Sequence, residues 1–161
     1  MKVAEQIQKH IVDGLGYKLI ASGVFHEDFW IQIEGKNLNS TIQFLKEDEK
    51  CLFDSFVDLC GVDYLNRKPR FESVIHLYST AHKQRIRIRC VVDDSTLTVP
   101  TLTNDWKGAN WQERESFDMY GIKYEGHPDL KRILSAPGTE VFPQRKDYPL
   151  KGDREPIEDL E

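Results

Sequence analysis

The sequence lacks a long hydrophobic run. No stretch of its 161 residues reaches the roughly 20 consecutive apolar residues that cross a bilayer as one helix. Residues 1–16 carry acidic side chains and no continuous apolar segment, so they are unlike a secretory signal or an arginine-rich transit peptide. We therefore expect a protein without a membrane span that remains in the compartment where it is made.

Cysteines and histidines are few and are not spaced as metal ligands. Cys51, Cys60 and Cys90 include no C-x-x-C pair, which argues against a disulfide framework, a zinc site and an iron–sulfur site. The histidines show no H-x-x-x-H pair or cluster, which argues against a metal site. They are His10, His26, His76, His82 and His127. We expect the cysteines to be small buried hydrophobic groups in a reducing compartment, and the chain to hold no redox centre.

Nucleotide-binding and nucleophile motifs are missing as well. The chain has no G-x-x-x-x-G-K-[ST], G-x-G-x-x-G or G-x-S-x-G segment. Glu113, Glu115 and Asp118 are close in sequence, but residues 113 and 115 lie about 200° apart on a helix and cannot act on one substrate atom. We expect no catalytic, cofactor-binding or metal-binding residue in this chain.

Composition and periodicity predict one globular domain. Hydrophobic residues make up 39% of the chain and charged residues 30%. The predicted elements are a helix ending near Gly14–Gly16, strands over 17–22 and 25–33, a helix over 37–50, strands over 53–65, 71–79 and 85–92, and a helix over 106–120. This order indicates an α+β fold, a single domain with a largely antiparallel sheet, flanking helices and an extended C-terminal tail. We place the core domain at residues 1–122 and the C-terminal tail at residues 123–161.

Two glycines mark expected irregularities in the strands. We place the turn between the first two strands at Ser22-Gly23, and a bend or bulge of the third strand at Gly61. Residues 93–104, which include Pro100, should form a loop that leads into the last helix.

The last predicted helix has an apolar face interrupted by one carboxylate. Residues at steps of three and four form this face: Trp106, Ala109, Glu113, Phe117 and Tyr120. Gly121 follows as the residue that ends the helix. Glu113 should be a buried structural anchor whose partner is Arg132, a strand arginine or a backbone N–H. On the opposite side, Arg114 and Asp118 are one turn apart and should form an ion pair.

The C-terminal tail combines prolines with many apolar groups. Its prolines before Leu150 are Pro128, Pro137, Pro143 and Pro149, so we expect no helix or strand within it. Residues 123–134 should lie on the domain. Residues 135–161 should become ordered on a partner protein and offer Arg145 and Lys146 to its carboxylates. His127, which precedes a proline, should be an ordinary hydrogen-bonded loop histidine.

The predicted strand over 85–92 is cationic on one face. Arg85, Arg87 and Arg89 alternate with apolar residues, so the arginines should point away from the core. Residues 64–90 contain seven basic residues and one acidic residue, Glu72, in a chain of net charge −5. A solvated strand face and an acidic protein partner both fit this pattern. Nucleic acid is disfavoured because no known reading module is present.

Several short motifs together resemble one protein family. They are Glu113-Arg114-Glu115, Phe117-Asp118-Met119-Tyr120-Gly121-Ile122, Gly126-His127-Pro128-Asp129-Leu130, Arg132-Ile133-Leu134 and Arg145-Lys146-Asp147-Tyr148-Pro149-Leu150. With Gly61-Val62-Asp63-Tyr64 upstream, the chain resembles the C subunit of NADH-quinone oxidoreductase, the respiratory complex I, over about residues 50–151. Val141-Phe142 stands where the family usually has Gly-His before the proline.

The resemblance implies a non-redox subunit of the peripheral arm of complex I, on the cytoplasmic side of the bacterial inner membrane. Electrons would pass from NADH through FMN and iron–sulfur clusters in other subunits to quinone, coupled to proton translocation. The partners would be the D subunit, which forms the quinone site, and the iron–sulfur B and I subunits, without nucleic acid. The motifs imply these interface residues: Glu113, Arg114, Glu115, Asp118, Gly121, His127, Pro128, Arg132, Arg145, Lys146 and Asp147.

Two other functions stay open at this point. The equivalent subunit of a membrane-bound hydrogenase or formate hydrogenlyase would carry the same domain, often fused to the large catalytic subunit. We expect the quinone enzyme because the chain ends at Glu161. A stand-alone hydrolase would instead need a concave pocket that holds two of Glu113, Glu115, Asp118 and His127.

Overall fold

The computed structural model describes residues 3–152, apart from the side chain of Val3. Its elements are α1 (Val3–Leu15), β1 (Leu19–Phe25), β2 (Asp28–Glu34), α2 (Leu38–Glu47), β3 (Ser55–Asp63), β4 (Phe71–Ser79), β5 (Gln84–Val91), β6 (Thr98–Pro100), α3 (Ala109–Tyr120) and β7 (Lys123–Glu125). Short 3₁₀ turns follow α1 and β2. Within residues 3–152, no helix is both long enough and apolar enough to cross a membrane.

Five strands form one mixed sheet in the order β1-β2-β5-β4-β3. The central strands β2 and β5 are parallel, and the other three pairs are antiparallel. The strands β6 and β7 form a separate, parallel pair. The predicted α+β fold with a largely antiparallel sheet is therefore confirmed.

The core lies between the three helices and one face of the sheet. Ile31, Ile88, Ile75 and Leu59 lie side by side across β2, β5, β4 and β3 on this face, and all four are buried. Buried residues at helical spacing face them from α1 and α2: Ile7, Ile11, Leu15, Leu38, Ile42 and Leu45. The arginines of β5 alternate with its buried residues and lie on the other face, as predicted.

The turn between β1 and β2 is not at Ser22-Gly23. The chain turns at His26 and Glu27, both with positive φ (49° and 71°). Gly23 lies inside β1 opposite Trp30, and a Cβ on it would come within 3.0 Å of the Trp30 ring. The glycine is required by this close packing, so its usual association with turns misled the prediction.

The irregularity of β3 is also not at the predicted glycine. The register shifts between Phe56 and Asp58, where the bulge lies. A Cβ on Gly61 would lie 2.5 Å from the Tyr120 ring and 2.9 Å from Ser116 Oγ. Gly61 therefore allows α3 to pack closely on the sheet.

Two short strands occur where no regular structure is predicted. β6 lies within the predicted loop 93–104, and β7 opens the C-terminal tail. Tyr124 of β7 is buried, and its hydroxyl lies 2.9 Å from Ser116 Oγ and 3.0 Å from Ser73 Oγ. The first residues of the tail are therefore part of the packed structure.

Candidate functional site

The candidate site is helix α3 together with the part of the C-terminal tail that lies along it. Gly121 ends α3 with φ +81°, as predicted, and its N–H donates to the carbonyl of Phe117 at 2.8 Å. The helix begins at Ala109 instead of residue 106. Trp106 precedes it and donates from Nε1 to the carbonyl of Asp54 at 3.0 Å.

Glu113 is completely buried, so the predicted burial is confirmed. Its carboxylate accepts hydrogen bonds from the Leu102 N–H and the Thr101 hydroxyl, both at 2.6 Å. The backbone partner is as expected, but the arginine partner is wrong, because Arg132 binds elsewhere. Burial raises the pKa of Glu113 to about 7, and the two donors offset only part of this effect. Glu113 thus ties α3 to the segment that follows β6.

Asp118 is the centre of the contacts between α3 and the tail. Its carboxylate accepts from Arg132 Nη1 at 2.8 Å and from the backbone N–H groups of Ile133, Leu134 and Ser135 at 3.0, 2.8 and 2.9 Å. Burial alone would raise the pKa of Asp118, but these hydrogen bonds outweigh it and hold the pKa well below its usual range. The predicted Asp118 pair with Arg114 is wrong, since these donors saturate the carboxylate.

Arg114 binds backbone carbonyls of the tail instead. It donates from Nε to the carbonyl of Lys131 at 3.0 Å, and its guanidinium lies 5.3 Å from the centre of the Trp111 ring. Trp111 remains 61% exposed. Arg114 therefore joins the exposed side of α3 to residues 131–132 of the tail.

Phe142, at the position where the sequence departs from the family, packs against two arginines. The guanidinium groups of Arg132 and Arg145 lie 4.9 and 4.2 Å from the centre of its ring. The neighbouring Val141 carbonyl accepts from Arg132 Nη1 at 2.9 Å. Val141-Phe142 thus provides a carbonyl acceptor and an aromatic surface within the chain.

Arg145 also packs against the end of α3. Its Nε donates to the carbonyl of Tyr120 at 2.7 Å. A Cβ on Gly121 would lie 2.5 Å from Arg145 Nη2, so the glycine is needed for this approach as well as for its positive φ. The expectation that Arg145 is offered to a partner's carboxylates differs from the structure, in which the side chain is half-buried against its own domain.

A second group of contacts holds the end of the described tail. Arg70 donates to both oxygens of Asp63 at 2.7 Å and to both oxygens of Asp147 at 2.9 and 2.8 Å. The Lys146 N–H donates to Asp63 at 2.7 Å, while the Lys146 side chain is exposed. Hydrogen bonds from Arg70, with a contribution from Lys146, lower the pKa of Asp63.

The remaining predicted site residues are peripheral. His127 Nε2 lies 3.3 Å from the carbonyl of Asn110, and Nδ1 accepts from the Asp129 N–H at 3.0 Å, as expected of a hydrogen-bonded loop histidine. Glu115 and Pro128 are exposed. The structure thus gathers most of the predicted residues into contacts within the chain.

Sequence reasoning missed three residues that complete these contacts: Asp63, Arg70 and Thr101. Asp63 belongs to the upstream motif, and a buried acid at a strand end signals a need for a cationic partner. No local pattern marks Arg70 or Thr101, because the fold alone places them next to their partners.

The cationic strand β5 is partly neutralised within the chain. Glu72 is buried on the arginine-bearing face and accepts from Arg89 Nε at 2.9 Å, from Gln32 Nε2 at 2.6 Å and from Arg67. The local positive charge that the sequence shows is therefore smaller on the folded surface.

These features define a class of protein: a two-layer α+β domain with a C-terminal tail bound along its own last helix. A family model described as the 30 kDa subunit of respiratory-chain NADH dehydrogenase matches residues 31–154. The chain belongs to this family, and the resemblance to the C subunit of NADH-quinone oxidoreductase is confirmed.

Named relatives agree with this assignment. The chain is 44% identical over 147 residues to the C 2 subunit of NADH-quinone oxidoreductase from Rhizobium meliloti (strain 1021), and the match covers 91% of this chain and 80% of that protein. It is 41% identical over 154 residues to the C subunit of the same enzyme from Acidithiobacillus ferrooxidans (strain ATCC 53993 / BNL-5-31), covering 92% of this chain and 76% of the relative.

Solved structures share the fold. The trypsin-resistant fragment (1-134) of Nqo5 superposes with a TM-score of 0.67 at 28% identity, over 80% of this chain and 99% of the fragment. A chain of the membrane-bound sulfane sulfur reductase, an archaeal respiratory membrane complex, superposes with a TM-score of 0.76 at 20% identity, over 98% of this chain and 95% of that chain. At that identity, the second likeness shows the fold alone.

Proposed function

We propose that this chain is a structural subunit, without a flavin or iron–sulfur centre, of the peripheral arm of a proton-translocating NADH-quinone oxidoreductase. Electrons pass from NADH through FMN and iron–sulfur clusters in other subunits to quinone. The chain binds beside the D subunit, which forms the quinone site, and the iron–sulfur B and I subunits, on the cytoplasmic side of the inner membrane. Membership of the family supports this proposal.

The observation that carries the proposal is a tail whose backbone is fixed at residues 131–135 and which leaves apolar side chains exposed. Leu134 is 62% exposed, Leu150 is 103% exposed and Trp111 on α3 is 61% exposed. The backbone at residues 131–135 is held by Arg114 and Asp118. Apolar groups on an ordered support bury surface on a partner at a smaller entropic cost than groups on a flexible segment.

The end of the described tail is held less firmly than residues 131–135. Asp147, whose side chain is 54% exposed, pairs with Arg70 at 2.8 Å, and an exposed ion pair of this kind is a weak contact. The later part of the tail should therefore gain most stability from binding a partner.

The second candidate is the equivalent subunit of another membrane-bound respiratory complex, such as a hydrogenase or formate hydrogenlyase. A chain of the archaeal sulfane sulfur reductase complex shares the fold, so the fold alone does not separate the two candidates. A stand-alone hydrolase is disfavoured, since Glu113 and Asp118 are buried with different partners and Glu115 is exposed.

Purification of the tagged full-length chain from membranes in mild detergent tests the proposal. Identification of the co-purifying chains should give the quinone-site and iron–sulfur subunits together with the NADH-binding subunits. Hydrogenase subunits in place of NADH-binding subunits would select the second candidate. Purification of the chain alone from intact membranes would contradict both.

Variants of the exposed surface locate the contact. Leu134→Glu should reduce both co-purification and the NADH-quinone reductase activity of the membranes, because it places a charge in an apolar interface. Tyr17→Glu is the matched control, since it introduces the same charge at a residue that is 93% exposed outside α3 and the tail. Equal assembly of the two variants would show that Leu134 lies outside the interface.

A further inference from the structure

We infer that His10, Asp48 and Cys51 form a site for one divalent metal ion of the zinc type, with water as the remaining ligand. Each residue offers one ligand atom, and the three atoms lie within 4.8 Å of one another. His10 is on α1, Asp48 follows the last residue of α2, and Cys51 lies in the turn before β3. The histidine is 38 positions from the aspartate, which explains why sequence spacing gave no sign of the site.

The three groups are already held close to coordination geometry. His10 Nε2 lies 3.0 Å from Asp48 Oδ1. The Lys50 N–H donates to the same oxygen at 2.9 Å, and the Cys51 N–H donates to the Asp48 carbonyl at 2.9 Å. Tetrahedral zinc with ordinary Zn–N, Zn–O and Zn–S bonds separates its ligand atoms by about 3.3–3.8 Å. An ion therefore needs shifts of about 1 Å, within the reach of side-chain rotation.

The site is open to solvent through two of its three ligands. Cys51 is fully buried, whereas the side chains of His10 and Asp48 are 29% and 27% exposed. An ion can enter past the imidazole and the carboxylate, and a water molecule can complete its coordination from the same side. The Phe44 ring, 5.9 Å from the His10 ring, helps to fix the imidazole orientation.

The donor set selects the class of metal. A thiolate, an imidazole and a carboxylate together suit zinc or cobalt, whereas magnesium and calcium prefer oxygen ligands alone. Binding forms a metal–sulfur bond as the Cys51 S–H loses its proton to solvent, and no electron is transferred.

A bound ion would connect the first helix to the turn that leads into β3. In the described structure α1 is held to the core mainly by Ile7, Ile11 and Leu15. Zinc has no redox chemistry, so the site is compatible with a subunit that carries no electrons. The inference does not depend on the proposed function, since it rests on residues outside α3 and the tail.

Cobalt titration of the untagged full-length chain, after treatment with a chelator, tests the site. We expect one equivalent of Co²⁺ to produce a thiolate-to-cobalt charge-transfer band and the strong visible bands of four-coordinate cobalt, and Zn²⁺ to remove both. Cys51→Ser should abolish the charge-transfer band. Cys60→Ser, which changes an exposed cysteine elsewhere, should retain it.

His10→Gln provides a second variant that does not disturb the core. It should weaken binding by about 100-fold or more, because even groups behind the ligands change affinity by about 10- to 100-fold. Absence of the charge-transfer band in the wild type, its persistence in Cys51→Ser or its loss in Cys60→Ser would overturn the site. Cobalt binding by a chain that does not co-purify with the respiratory complex would support the metal site and contradict the proposed function.

Discussion

Arg70 donates to both carboxylate oxygens of Asp147, 77 positions further along the chain, at 2.9 and 2.8 Å. The same guanidinium binds Asp63 at the end of β3. These bonds hold the end of the described tail against the edge of the sheet. Because Asp147 is 54% exposed, its pair with Arg70 is a weak contact that a partner can replace.

Loss of this contact should loosen the tail without unfolding the domain. Asp147→Asn should increase the rate of trypsin cleavage after Arg145 and Lys146 by up to about 5-fold, because an exposed ion pair contributes about 0.2–1 kcal/mol. Mass spectrometry of timed digests measures the rate. Asp129→Asn, which removes the exposed pair with Lys131 at 2.8 Å, is the control and should leave that rate unchanged. Equal rates in wild type and Asp147→Asn would show that the pair does not hold the tail.

Protease sensitivity should differ between the free and the assembled chain. Brief digestion of the isolated protein should trim the C-terminal tail beyond the residues that bind Asp118 and leave a stable core, because the Arg70–Asp147 pair that holds the end of the described tail is partly exposed. The same digestion of the complex should leave the chain intact. Resistance of the free full-length chain would place the whole tail in the domain and weaken the interface proposal.

Asp118→Asn should strongly destabilise the protein. The substitution removes the charge opposite Arg132. It also replaces one of the two acceptor oxygens, which face Arg132 and the three backbone N–H groups, with an NH2 donor, at a cost of about 3–5 kcal/mol in the free energy of unfolding. The low pKa of Asp118 in the folded state means that its stabilisation is complete above the usual value of 3.8 and is lost as the pH falls below it. Urea unfolding at neutral pH and at pH 3 measures both effects. A loss below 1 kcal/mol, equal to that of the Asp129→Asn control, would contradict the central role of Asp118.

Glu113 should give stability the opposite dependence on pH. Its folded-state pKa of about 7 lies above the ordinary value of 4.5, so the folded protein holds a proton that the unfolded chain releases. Between these values the free energy of unfolding should fall as the pH rises, by up to about 1.4 kcal/mol per pH unit. Glu113→Gln should remove this slope, whereas Glu115→Gln, at an exposed position, should keep it. If stability still falls with rising pH in Glu113→Gln, the pH dependence comes from another titratable group.

Removal of the Glu113 carboxyl group altogether should cost stability at every pH. In Glu113→Ala the Leu102 N–H and the Thr101 hydroxyl lose their buried acceptor, and the expected loss is about 1–3 kcal/mol in the free energy of unfolding. This loss should also reduce assembly of the subunit. Wild-type stability of Glu113→Ala would show that water replaces the carboxylate.

The isolated chain should be colourless. Its cysteines lack the spacing of cluster ligands, and two of the three are buried in the described structure. Anaerobic purification followed by iron analysis and a visible spectrum checks this expectation. Stoichiometric iron with a broad visible band, or a bound flavin, would contradict a subunit without redox centres.

Local patterns predict what local interactions determine. Gly121 ends α3 through its αL conformation, a local feature of the backbone, and Ile7, Ile11 and Leu15, four residues apart in α1, form one buried helix face. The same local rule pairs Asp118 with Arg114, yet its actual partner Arg132 is 14 positions away. The fold brings that arginine to the carboxylate, and no pattern within one helical turn could show it.

Glycines are harder to interpret than hydrophobic residues. The sequence predicts a turn at Gly23 and a bulge at Gly61, but each glycine makes room for an aromatic ring from another element. A single sequence does not distinguish a glycine that makes room for a neighbouring side chain from a glycine that adopts a special backbone conformation. The chain turns instead at His26 and Glu27, whose positive φ is not indicated by a glycine in the sequence.

The parallel pairing of β2 with β5 has a consequence for synthesis on the ribosome. Phe29 pairs with Ile86 and Glu34 pairs with Val91, so one edge of β2 has no neighbour until residue 91 has left the exit tunnel. A two-stranded hairpin is marginally stable in water, and β1 and β2 alone form only that. The edge of β2 that faces away from β1 therefore obtains its hydrogen-bonding partner only after β5 has been synthesised and has inserted between β2 and β4.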